Sequence, residues 1–301
     1  MKKINSLILL FLLIFSMAAC SMPKNNTDTG TPDTPGEMVD DAIDKVTPTG
    51  LQSENHFTVD DVMPCVSDYS QYSQKLCGFG FKKANKGVVP SIGVYEDILN
   101  GNNAVYVGNT DTKTIYLTFD EGYENGYTNQ ILDTLKEKNV PAAFFCTGDF
   151  VKRNDDIIKR MLTEGHIVGN HTWNHKTMPD IQSDSEFKEE LTKFDDYMME
   201  NYKVRTTYFR YPNGEFSEKT LNMVKDMGYK TVFWSLAYKD WEKDVVKGTD
   251  HAVKEVVDHI HNGAIILLHA VSRDNAEALP IIIDRLNEEG YTFANLDNLK
   301  F

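Results

Sequence analysis

The chain has 301 residues, of which 45 are acidic and 31 basic, giving a formal charge of −14. That balance argues against nucleic acid as a partner and against peripheral docking on anionic lipid. Its four cysteines include no CxxC pair and no zinc-finger spacing, which excludes a cysteine-built metal fold.

In chain order, the first element is an export signal over residues 1–20, MKKINSLILLFLLIFSMAAC. Lys2 and Lys3 form its positive start, residues 4–15 its apolar middle and residues 16–19 a mostly small approach to cleavage. The apolar run is about half of the ~20 residues a bilayer span needs, which favours cleavage over an uncleaved anchor. The segment MAAC resembles a bacterial lipobox. That resemblance makes Cys20 the lipidated first residue of the mature chain and places the protein on the outer face of the cytoplasmic membrane. Residues 21–50 are rich in Pro, Thr, Asp, Asn and Gly and read as a disordered tether. Residues 51–112 mix aromatic and polar residues with Gly78, Gly80, Gly87 and Gly93, and read as an irregular N-terminal extension. Cys65 and Cys77 flank one short segment and could pair in an oxidising compartment. Cys146 lies in an apolar run and reads as a small core residue.

From residue 113 to 301 the pattern becomes regular. Short β-rich runs occupy 113–119, 141–147, 166–170, 205–211, 230–235, 263–269 and 291–296. Helix-period segments lie between them: TNQILDTLKEKN sets Ile131, Leu132 and Leu135 on one face, and DDIIKRMLTEG does the same with Ile157, Ile158, Met161 and Leu162. Several open on Ser, Thr, Asp or Asn and close on Gly, as helix caps should. Seven strands alternating with six helices predict repeated βαβ units and a parallel sheet.

The chemistry-bearing residues fall at the ends of these runs. Asp120 and Glu121 follow the first, His171 and His175 the third; Arg210 ends the fourth; Asp240 and Trp241 follow the fifth; His269 ends the sixth. In an open doubly wound sheet, strand ends far apart in order do not all meet. In a (β/α) barrel they gather at one mouth, so the spread favours a closed or nearly closed barrel, of fewer than eight strands. Each residue alone has an ordinary reading: the acid pair as a cap, Arg210 as a surface ion pair, His269 as a core histidine. Their joint occurrence at corresponding places in the repeat is what points to a site.

That set has a chemistry. Glu121, His171 and His175 make a two-His, one-carboxylate face for a metal, which would polarise a carbonyl and acidify bound water. Asp120 can act as general base, Arg210 can hold it ionised, and His269 can protonate a leaving amine. The Pro212-Asn213-Gly214 turn can point a backbone N–H at a developing oxyanion. This suits hydrolysis of an amide or ester, and no GxSxG elbow competes.

TFDEG, HTWNH, RYPNG, KDW and LLH resemble, in order, the five motifs of the polysaccharide deacetylase (NodB-type, carbohydrate esterase) family, over about 114–296. The resemblance implies a distorted (β/α)7 barrel that removes acetyl groups from N-acetylated glycans with one divalent metal ion, zinc being the expected identity. It also implies that Asp240 tunes His269, that Trp241 and Leu267 wall the acetate pocket, and that the Asn213 backbone supplies the oxyanion hydrogen bond. Two positions depart from the motifs: Glu121 stands where the family has a second Asp, and Ala237 where it has an Asp that helps to hold the arginine. DEGYENGYT, WSLAYKDW and LLHAVSRDNAEAL further resemble the subgroup that deacetylates N-acetylmuramic acid during muramic δ-lactam formation in spore-cortex peptidoglycan. The alternatives are an N-acetylglucosamine deacetylase of peptidoglycan or another cell-wall glycan, and a catalytically degenerate, glycan-binding lipoprotein.

Overall fold

In the computed structural model, which describes residues 68–242 and 245–301, short elements come first among the described residues, after a 3-10 turn at Tyr69–Gln71. These are β1 (Cys77–Gly78), α1 (Tyr95–Leu99) and β2 (Ala104–Val105). The regular alternation then begins with β3 (Thr114–Glu121), α2 (Thr128–Lys138), β4 (Ala142–Cys146), α3 (Gly148–Arg153), α4 (Asp155–Thr163) and β5 (Ile167–Asn170). It continues through α5 (Asp184–Tyr202), β6 (Tyr208–Phe209), β7 (Glu215–Phe216), α6 (Glu218–Asp226), β8 (Lys230–Val232) and β9 (Leu236–Ala237). It ends with α7 (Thr249–Val257), β10 (Ile265–His269), α8 (Arg273–Glu288) and β11 (Thr292–Phe293). The signal segment with Cys20, the tether and Cys65, with its suggested pairing to Cys77, lie outside the described residues.

The helices stop where the sequence says they should. Gly165, Gly228 and Gly290 adopt φ near +85° just after α4, α6 and α8, a conformation that glycine reaches at no steric cost. Ser183, Thr147 and Ser272 accept backbone N–H groups at the starts of α5, α3 and α8.

The main sheet runs β2-β8-β6-β5-β4-β3-β10-β9, with β11 also on β3, and every one of these pairs is parallel. All seven sequence runs therefore hold strands. The run at 230–235 holds β8 and breaks off after Val232, and β9 follows just beyond its end. β8 pairs with β6 and β2 near one end of the path and β9 pairs with β10 at the other, so this one stretch of chain brings the two sides of the path together and curls the sheet into a distorted barrel. The fold is the expected distorted (β/α)7 type. Residues 68–112 are less irregular than their composition suggests, because β2 extends the sheet alongside β8.

Strand alternation sorts β3 into two faces. Ile115, Leu117 and Phe119 point outward into the core shared with α2 and α8, while Tyr116 points inward with Ala143, Phe145, Tyr208 and Ile265. Cys146 is buried in the outward core, as its apolar run suggested. A third core joins Phe79 and Leu99 to Phe209, Phe216 and Phe233. Phe79 stacks on Phe233 with ring centroids 4.3 Å apart. Burying one such side chain contributes about 2–3 kcal/mol, so this contact secures the early segment to the barrel wall.

Candidate active site

Because β3 runs on through Glu121, Asp120 keeps the inward direction of Tyr116 and reaches the C-terminal mouth of the barrel. There its Oδ1 accepts a hydrogen bond from Arg210 Nη1 at 2.8 Å. Arg210 is completely buried, and each of its other nitrogens also has a partner: Nε donates to the Val232 carbonyl at 2.9 Å and Nη2 to that of Phe233 at 3.3 Å. Its guanidinium also lies 4.1 Å from the Phe145 ring centroid. A buried cation survives only when so satisfied. Backbone carbonyls and an aromatic face thus hold Arg210 in a chain that carries Ala237 where the motif has an acid. Burial works to raise the pKa of Asp120, but Arg210, His171 and His269 outweigh it and the net shift is downward, so the carboxylate is ionised.

His171 follows β5 and is fixed by its own Nδ1–H, which donates to the Arg210 carbonyl at 2.8 Å. That bond leaves Nε2 as a lone-pair atom, 3.6 Å from Asp120 Oδ2. Burial pushes the His171 imidazole down to about 4 and lowers His175 as well, so both are neutral near pH 7. Their rings meet edge to face at 4.9 Å. The loop between them is tightly wound: Thr172 and His175 have φ of +67° and +54°, a region costly for residues with side chains. It is supported from β5, where Asn170 accepts from the Thr172 backbone N–H, and from α5. Buried Glu190 accepts from the Asn174 backbone N–H at 2.8 Å and from its side-chain amide at 2.7 Å. Sequence reading missed Glu190, since nothing marks it among the many acids of α5.

His269 sits on β10 in direct register with Asp120 on β3. Its Nδ1–H donates to Asp240 Oδ1 at 2.7 Å, and its backbone N–H donates to Asp240 Oδ2 at 2.9 Å. Burial acts to lower its pKa, but Asp240 outweighs burial, with help from Asp120, and the net shift is upward. Asn275, buried near the start of α8, donates to both Asp240 and the His269 carbonyl, and accepts from the Tyr238 hydroxyl. It also escaped the sequence reading; the only signal was its place in LLHAVSRDNAEAL.

Glu121 is not brought to the imidazoles. Alternation turns it to the outer face of β3, in register with Cys146, where it is fully buried and neither carboxylate oxygen has a hydrogen-bond partner. Burial first, then Glu124 and Asp120, push its pKa well above the ordinary carboxylate value, which makes it a neutral acid. The expected trio of Glu121, His171 and His175 is therefore not assembled. Among the described residues no three His, Cys, Asp or Glu side chains are arranged to hold a metal ion.

These groups open into one cavity of about 790 Å³. Asp120, His171, His175 and His269 contribute to its lining, as do Asn213, Trp241 and Leu267, while Arg210 and Asp240 stand behind the groups they hold. Asn213 has φ of +56° in its turn, and the adjoining Gly214 packs so closely on Trp234 that a Cβ there would lie 2.9 Å from the indole. Trp241 is half exposed, its ring centroid 5.8 Å from that of His269. Ionised base, raised histidine and cavity together permit proton transfer to and from a bound amide.

The chain is similar to known proteins in both sequence and structure. The polysaccharide deacetylase family profile matches residues 107–232. A Bacillus subtilis protein named peptidoglycan-N-acetylmuramic acid deacetylase PdaA is 45% identical over 228 residues, covering 74% of this chain and 85% of that protein. An uncharacterised 30.6 kDa protein of Geobacillus stearothermophilus is 48% identical, covering 73% of this chain and 84% of that one. The solved structure of Bacillus subtilis PdaA, described as a family 4 carbohydrate esterase, matches with a TM-score of 0.73 and 42% identity, over 75% of this chain and 97% of the other.

Proposed function

Because this chain belongs to the polysaccharide deacetylase family and is a deacetylase, we propose that it hydrolyses the acetamido group of N-acetylmuramic acid in peptidoglycan glycan strands. The observation that carries the reading is the register pair of Asp120 and His269, neighbours in one cavity whose pKa values are shifted apart. The choice of muramic acid rests on the likeness to PdaA.

In the first step, Asp120 takes a proton from water as the water oxygen attacks the acetyl carbonyl. Arg210 keeps Asp120 ionised and aimed, and the Asn213 backbone N–H faces the oxyanion. In the second step, the C–N bond breaks and His269, protonated through Asp240, gives its proton to the departing amine. Trp241 and Leu267 wall the acetyl group. The products are acetate and a free amine on the sugar. Deacetylases of this family are metal-dependent, generally with a divalent ion. In this chain a zinc ion would meet His171 and His175 but not Glu121, and no step above is routed through it.

The wider reading follows from the sequence. The freed amine of muramic acid can close on its own lactyl carboxylate, giving the muramic δ-lactam of spore cortex. A lipid on Cys20 would keep the enzyme at the outer face of the cytoplasmic membrane, beside its substrate. Incubating the purified protein with defined peptidoglycan fragments, with and without divalent metal, tests the substrate. Product masses should show acetyl loss on muramic residues; acetyl loss confined to glucosamine residues would sink the assignment.

A further inference from the structure

Among the cavity residues without a part in that chemistry is a cation. Lys152, on α3, is the one Lys or Arg among the described residues that line the cavity. Its neighbours do not neutralise it: Asp149 is engaged by Arg153 at 2.7 Å, and no carboxylate among the described residues pairs with Lys152. The ammonium lies instead 4.9 Å from the centroid of the Trp173 ring. That indole is a firm platform. A Cβ on Gly148 would lie 2.3 Å from it, and the Trp173 backbone N–H donates to the Glu190 carbonyl at 2.9 Å. A cation placed on an aromatic wall, without a partner in a chain of net charge −14, is suited to meet an anion that the substrate brings.

N-acetylmuramic acid brings one. It differs from N-acetylglucosamine by a lactyl ether on C3, one carbon from the C2 that carries the acetamido group. A sugar whose acetamide reaches Asp120 therefore carries its carboxylate into the same cavity. We propose that Lys152 is the specificity-determining residue that recognises this lactyl carboxylate, an inference that rests on the muramic reading of the substrate. Lys152 touches neither Asp120 nor His269 in any hydrogen bond or ion pair, so its contribution belongs to binding.

The test measures kcat and KM for three oligosaccharides: one with free lactyl carboxylates, one with those carboxylates converted to neutral amides, and a chitin oligomer without lactyl groups. Lys152→Met should raise KM for the free acid about fivefold, the scale of an exposed charge pair. Its kcat should stay unchanged, and Lys152→Arg should restore KM. Lys152→Glu should raise KM further. None of the three variants should alter kinetics on the amide or the chitin oligomer. Unchanged KM for the free acid in Lys152→Met and Lys152→Glu, or an equal loss on all three substrates, would overturn the proposal. Wild-type protein that deacetylates only the chitin oligomer would overturn the muramic reading itself, and that outcome is visible before any variant is made.

Discussion

On the inner face of β3, the carboxylate of Asp120 meets Arg210, two neutral imidazoles and a protonatable one; on the outer face, one residue further, the carboxylate of Glu121 is fully buried with no hydrogen-bond partner. The same functional group is ionised on one side of the strand and neutral on the other. Burial pushes both pKa values up, and only inside the barrel do fixed positive partners reverse the sign. Adjacency in sequence therefore says little about shared duty when a strand separates the two side chains.

The strongest way to test this contrast is on its inner side. Asp120→Asn keeps the shape and removes the base, and kcat should fall about a thousandfold, with circular dichroism unchanged. Wild-type turnover by this variant would remove Asp120 from the mechanism. Arg210→Met removes the inner partner. It leaves a buried carboxylate without its cation, a loss on the order of 3–5 kcal/mol that a denaturant titration would read. Urea midpoints equal to wild type would mean that Asp120 relies on other groups.

Weaker effects are expected further from the base. Active enzyme needs Asp120 ionised and His269 protonated, so activity should decline as pH rises through the His269 value, which lies above the ordinary 6.5. Asp240→Asn withdraws the charge that holds that value up and should move this alkaline limb toward lower pH by about one unit, a tenfold change in protonated fraction. An unmoved limb would assign it to another group. Glu121→Gln should alter least, leaving kcat and metal content by elemental analysis near wild type. Its folded pKa is raised, so its share of stability is fully present below the ordinary 4.5 and declines as pH climbs through the folded value. The Gln variant should lack that decline between melts at pH 5 and pH 8. Loss of bound metal in this variant would place Glu121 back among the ligands.

Much of this contrast could be read from the chain, and one part could not. The seven strand runs and the residues at their ends predicted the barrel and gathered Asp120, His171, His175, Arg210 and His269 at one mouth. They did so because strand periodicity and strand-end position are local properties. Glu121 escaped because its direction depends on whether β3 stops at Asp120 or continues one residue, and a shift of one residue reverses a side chain's face. Glu190, Asn275 and Lys152 were illegible for another reason. Each comes from a helix whose composition is ordinary, and only the tertiary fold brings it to the site.

The interruption between β8 and β9 has its own consequence. A regular strand directs its carbonyls sideways to neighbouring amides, yet at this fault in the wall those of Val232 and Phe233 turn to Arg210. The flaw in the sheet is thus the socket of the guanidinium, and the orientation of the base is anchored in main chain that no side-chain substitution can delete.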